Sequence, residues 1–157
     1  KKAERIYPAV LPKRQRNLDN YKANPDYWLL KMARDISQAE HKIKTFRIHS
    51  AGDFFSNDYI NHWSTIVKTF PNINFYAYTK NEAMFDFKPL TSLKNFNLIS
   101  SITPDRGYNF GKQERIDKLI SEGYTVCPDT IEKHDKPICM VTCHVCLTNK
   151  KVCFKQH

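Results

Sequence analysis

With 157 residues, 41% of them hydrophobic and 13% aromatic, the chain has the length of one domain and enough apolar material for a core, which excludes a disordered tail. No apolar run approaches the roughly 18 residues that span a bilayer, and the opening KKAERIYPAV does not have the layout of a signal peptide. The net charge of +9 is uneven: residues 1–44 carry 11 basic and 5 acidic side chains, residues 45–126 carry 9 and 8, and residues 127–157 carry 5 and 3.

The basic excess therefore sits in the N-terminal region (1–23), where Lys13, Arg14, Arg16 and Lys22 suit contacts to a phosphate backbone or an ordinary solvated surface. Asn24-Pro25-Asp26 then reads as a helix start: a capping side chain, a proline in the first turn and an acid near the positive end of the dipole. The helix is expected over 27–41, with Trp28, Leu29, Met32 and Ile36 on one face. TFRIH at 45–49 is the first strand. Ser56 caps a helix over about 58–70 that buries Ile60, Trp63 and Val67 and stops at Pro71. NFYAY at 74–78 is the second strand, a weaker helix disturbed by Pro89 lies within 82–94, and NLISSI at 97–102 is the third strand. A helix over 111–122 leaves through Gly123 into a fourth strand at 124–127.

Strands alternating with helices predict an α/β fold: a parallel sheet of about four strands with crossover helices, like part of a (β/α) barrel. The β/α core is expected over 24–127 of a single domain. The remaining 128–157 have little periodicity and need another source of order.

All five cysteines, Cys127, Cys139, Cys143, Cys146 and Cys153, fall in the last 31 residues. An odd number of cysteines, concentrated after a cysteine-free core, fits a reduced cytoplasmic compartment better than a disulfide framework. Thiolates two and three residues apart can all aim at one point, so Cys127, Cys139, Cys143 and Cys146 are the expected ligands of Zn²⁺ or an iron–sulfur cluster. Cys153 or His157 are alternatives for the fourth place, and His144 points away if both its flanking cysteines ligate. The bland alternative is a set of reduced cysteines packed as small hydrophobes.

In parallel α/β sheets ligands bind beyond the carboxyl ends of the strands. The residues following those ends are polar here, and His49, Ser50, Gly52, Asp53, Thr79, Ser101 and Asp105 are the expected lining of a pocket. Each has a structural alternative: His49 as a core histidine, Gly52-Asp53 as a turn ahead of the Ser56 cap, and Ser100 and Ser101 as residues alternating across the sheet. Asp53 is the expected polar anchor of a small ligand, and His49 a proton donor or orienter. No Gly-rich phosphate loop or Ser–His–acid spacing points to a kinase or hydrolase.

Residues 46–55 (FRIHSAGDFF), 59–63 (YINHW), 75–79 (FYAYT) and NLISSI, with the Cys-Pro, the Cys-x2-Cys and the terminal Phe-x2-His, together resemble the gene product 88-like proteins of phages, plasmids and other mobile elements. The resemblance runs from Lys1 to His157, and its most specific part is Arg47 to Phe54. It implies a mobile-element context and a further cysteine motif upstream of Lys1; the chain starts without Met, as a piece of something longer would.

The Cys-x3-Cys-x2-Cys spacing is also that of radical-SAM enzymes, although there it precedes the barrel. By the same analogy Ser50–Asp53 matches a Gly-Gly-Glu that follows a strand, which implies S-adenosylmethionine as a cofactor, its amine held by Asp53. The functional expectation is an intracellular metalloprotein with a small-molecule pocket. The alternative is a zinc-stapled nucleic-acid-binding module that uses the basic N-terminal region.

Overall fold

A computed structural model of the chain describes residues 9–50, 52–102, 112–126 and 151–155. The first helix, α1 (Val10–Ala23), ends where Asn24 turns extended and caps the next. Asn24 Oδ1 accepts from Tyr27 N at 2.9 Å, and Pro25 opens α2 (Pro25–Ala39), as its sequence signal predicts. After β1 (Thr45–Arg47), the Ser56 hydroxyl accepts from Tyr59 N at 3.2 Å and starts α3 (Asn57–Thr69).

Next come β2 (Asn74–Thr79), the single turn α4 (Lys88–Thr91) and β3 (Phe96–Ile102). The expected helix within 82–94 is reduced to that turn: Pro89 sits at its start, where a missing N–H costs nothing, and cannot continue a helix from 82. Asn95 closes the end of α3, its amide donating toward the carbonyls of Val67, Phe70 and Ile73 at 3.0–3.1 Å. Helix α5 (Lys112–Ser121) exits through Gly123 at φ +85, with Tyr124 N donating to Leu119 O and Gly123 N to Ile120 O, the bond pair of a Schellman ending.

Strands β1, β2 and β3 form a contiguous parallel sheet, with Arg47 opposite Tyr76 and Thr79 opposite Ser100. Two further strands, β4 (Thr125–Val126) and β5 (Lys151–Lys155), extend it in the order β1-β2-β3-β5-β4. The segment after 127, whose sequence has little periodicity, supplies β5. It fills the open edge of β3, which would otherwise leave a row of unpaired backbone groups. Lys151 fastens β5 to the exit of α5, donating to Glu122 O at 3.1 Å and lying 5.3 Å over the Tyr124 ring. The order also departs from the sequential neighbours of a barrel, because β5 separates β3 from β4.

The helices lie on one face of the sheet. Phe75 and Ala77 of β2 and Phe96 and Leu98 of β3 share one buried cluster with Tyr21 of α1, Ile36 of α2, Ile60 and Val67 of α3, Leu90 of α4 and Leu119 of α5. That layout follows from handedness: each step β1→β2→β3→β4 moves the same way across the sheet, so right-handed crossovers fall on the same side. An aromatic group closes the β1 end of this core. The Tyr21 ring lies 5.2 Å from Trp28 and 4.8 Å from Tyr59, and Tyr59 stacks on Phe55 at 4.5 Å. Tyr21 also hydrogen-bonds His62 Nδ1 at 2.8 Å, so α1 is docked onto the core by one side chain.

Candidate functional site at the carboxyl ends of the strands

The loop after β1 turns at Gly52, whose φ of +102 belongs to glycine; a Cβ there would meet no atom within 4 Å. Backbone conformation, not crowding, sets the residue type. The turn delivers Asp53 to the end of β2. Its Oδ1 accepts from Phe54 N and from the Thr79 hydroxyl, both at 2.8 Å, and its Oδ2 accepts from Lys80 N at 2.8 Å. Thr79 Oγ1 accepts in turn from Asn81 N at 3.0 Å, and Asn81 Nδ2 donates back to Phe54 O at 2.8 Å.

Asp53, Thr79 and Asn81 thus form a latch between the β1–α3 loop and β2, with Thr79 and Asn81 buried. A carboxylate has about four acceptor positions. Three are taken among the described residues, two on Oδ1 and one on Oδ2.

His49 turns toward the aromatic group. Its ring lies 4.8 Å edge-on to Phe54 and stacks on Tyr59 at 5.7 Å, and its Nε2 shares a 3.0 Å hydrogen bond with the Tyr59 hydroxyl. Nδ1 is buried without a partner. Burial, with the Arg47 charge adding to it, pushes the imidazole down to about 4, and burial pushes the Tyr59 hydroxyl up to about 12. Both groups are therefore neutral at pH 7. The structural alternative for His49, a packed core histidine, describes most of its ring; the exception is the orphaned Nδ1.

The strand register separates other expected partners. Thr79 pairs with Ser100, so these two share the helix-side face, and the pleat puts Ser101 on the opposite face. Ser100 is fully buried with its hydroxyl unpartnered. Ser50 is exposed. Asp105, Cys127, Cys139, Cys143 and Cys146 lie outside the described residues, and among the described residues no three His, Cys, Asp or Glu side chains converge as metal ligands.

Tyr59 is not among the residues the sequence places at this site, and Asn81 belongs to the polar run Thr79-Lys80-Asn81 after the second strand without being among the expected pocket lining. The Asn81 signal was its position two residues after Thr79, at the end of a strand. On α1, Lys13, Arg14, Arg16 and Lys22 are all exposed. At about 100° per residue, Lys13 and Arg16 share a flank, whereas Lys22 is turned about 180° from Lys13. The four do not form one stripe.

The family model described as Gene product 88 matches residues 1–126. This chain belongs to the Gene product 88 family. The Gene 88 proteins of Mycobacterium phage D29 and Mycobacterium phage L5 are each 37% identical to it over 62 residues, 40% of this chain and 26% of the relative. The chain thus spans about a quarter of the length of these relatives. No solved structure matches it. The Gene product 88 match ends at Val126, immediately before the first cysteine. No helix among the described residues is long and apolar enough to cross a membrane.

Proposed function

We propose that this Gene product 88 protein is a cytoplasmic, mobile-element-encoded metalloprotein. Cys127, Cys139, Cys143 and Cys146 hold zinc or an iron–sulfur cluster beside the rim formed by the strand ends. One observation carries the reading: the cysteine-bearing segment 127–150 leaves β4 and re-enters as β5, which neighbours β4 in the same sheet. A metal there is tied to the core at both ends and is not a free-standing tail. The step from β4 back to β5 reverses the direction of travel across the sheet.

The donor set fits either metal, because closely spaced thiolates suit both. When bound, zinc would order the connection, and an iron–sulfur cluster would add electron-transfer chemistry. The protein's own residues supply the neighbouring binding surface. The Asp53 latch fixes the β1–α3 loop, and Oδ2 is where an amine, including that of S-adenosylmethionine, would be accepted.

The visible absorption spectrum of anaerobically isolated protein, with metal analysis, tests this reading. An iron–sulfur cluster gives broad absorbance with bound iron and sulfide, and zinc gives a colourless protein with bound Zn²⁺. A colourless protein without metal contradicts it.

A further inference from the structure

The sheet face away from the helices differs along its width. On β3 it is buried, with Asn97 and Ser101 at 9% and 5% exposure, but on β1 and β2 it opens. Thr45, Arg47 and Asn74 are exposed there, and Tyr76 and Tyr78 are half-buried. The register sets these side chains on one surface: Thr45 opposite Asn74 and Arg47 opposite Tyr76, with Tyr78 two residues on. The Arg47 guanidinium carbon lies 4.6 Å over the Tyr78 ring, and the Tyr76 and Tyr78 rings are 6.1 Å apart at 75°. Lys44 is exposed just ahead of β1. The strand positions on this face hold no carboxylate, and the open part holds no aliphatic side chain.

We infer that the open β1–β2 surface binds single-stranded nucleic acid, with Tyr76 stacking on one base and Arg47 moving from over the Tyr78 ring to a phosphate as a second base takes its place. Aromatic rings on a sheet surface, flanked by cations, provide sequence-tolerant stacking for unpaired bases. A duplex hides its base faces and gains only the charge contacts. The local charge agrees, because Lys44 and Arg47 bring two cations and the described strand positions of this strip hold no carboxylate. This surface is separate from α1, whose basic residues point in divergent directions.

The test is fluorescence anisotropy of a labelled oligothymidylate or oligouridylate of about 15 nucleotides, long enough for the 4–16 nucleotides such surfaces occupy. The full chain should bind it saturably and at least about tenfold more tightly than a duplex of equal length. Tyr76→Ala and Tyr78→Ala should each weaken binding about tenfold, the scale of one lost stack, while the phenylalanine variants keep it.

Arg47→Gln changes an exposed side chain. It should flatten the slope of log affinity against log salt by about 0.7, one phosphate contact on a single strand. The double variant Lys13→Gln, Arg16→Gln should leave affinity within about twofold. Absence of binding, equal binding of the duplex, an unchanged slope in Arg47→Gln, or a larger loss from the α1 double variant than from Arg47→Gln would each overturn the inference.

Discussion

Replacing Asp53 by asparagine keeps the side chain's shape and exchanges one acceptor oxygen for a donor. Whichever way the amide turns, a donor then faces either Lys80 N–H or the Thr79 hydroxyl and Phe54 N–H pair. The expected loss is about 2–3 kcal/mol, the scale of a charged hydrogen bond with a donor left buried. In a thermal melt this is a fall of about 5–10 °C. Thr79→Val removes a different part of the same latch, so the two losses should be less than additive in a double-mutant cycle.

Gly52→Ala places a Cβ on a backbone at φ +102 with open space around it, so strain is the whole cost, about 1–2 kcal/mol by denaturant titration. These roles were only partly legible. The turn at Gly52-Asp53 could be read from the residues themselves. The acceptor role of Asp53 could not, because its partners Thr79 and Lys80 lie 26 and 27 residues further along.

His49 adds a pH dependence. Its imidazole is held down at about 4 in the fold, against 6.5 when unfolded, because burial disfavours the charged form. On acidification the unfolded chain takes up this proton first. Stability is therefore full above about pH 6.5, falls by about 1.4 kcal/mol per pH unit toward about pH 4, and is then flat in this contribution, a loss of about 3 kcal/mol at most. His49→Phe should flatten the curve of stability against pH in that window. An unchanged acid limb would show that another group titrates there.

At the scale of elements, the short-range signals were the reliable ones. Asn24-Pro25, Ser56 and Gly123 act within four residues of where they stand, and each start or stop they mark is observed. Strand β5 was missed for the opposite reason. A run of Lys-Val-Cys-Phe-Lys becomes a strand only because the edge of β3 is there to receive it, and the clustered cysteines drew attention to metal instead.

Asn95 is a comparable long-range device, holding the end of α3 from the turn before β3. Asn95→Ala should cost about 2 kcal/mol by leaving carbonyls unsatisfied. Asn95→Asp should cost more, because it turns a carboxylate toward them. Equal stability of the alanine variant and the parent in urea titration would show that water replaces the amide.

For the whole molecule, the arrangement that matters is one-sided. A continuous hydrophobic layer carries every described helix, and the opposite sheet face carries polar and aromatic residues on β1 and β2 and the buried Asn97, Ile99 and Ser101 on β3. Membership of the Gene product 88 family accounts for residues 1–126, and the cysteine-bearing segment follows directly after that match. The metal proposal concerns the segment between β4 and β5.

Metal content tests it most directly. The parent and the triple variant Cys139→Ser, Cys143→Ser, Cys146→Ser are isolated anaerobically from the full-length protein, and bound iron, sulfide and zinc are measured per chain. The account predicts a stoichiometric metal site in the parent, either one zinc or the iron and sulfide of a single cluster, and its loss in the variant. Equal metal in both proteins, or none in the parent, would contradict it.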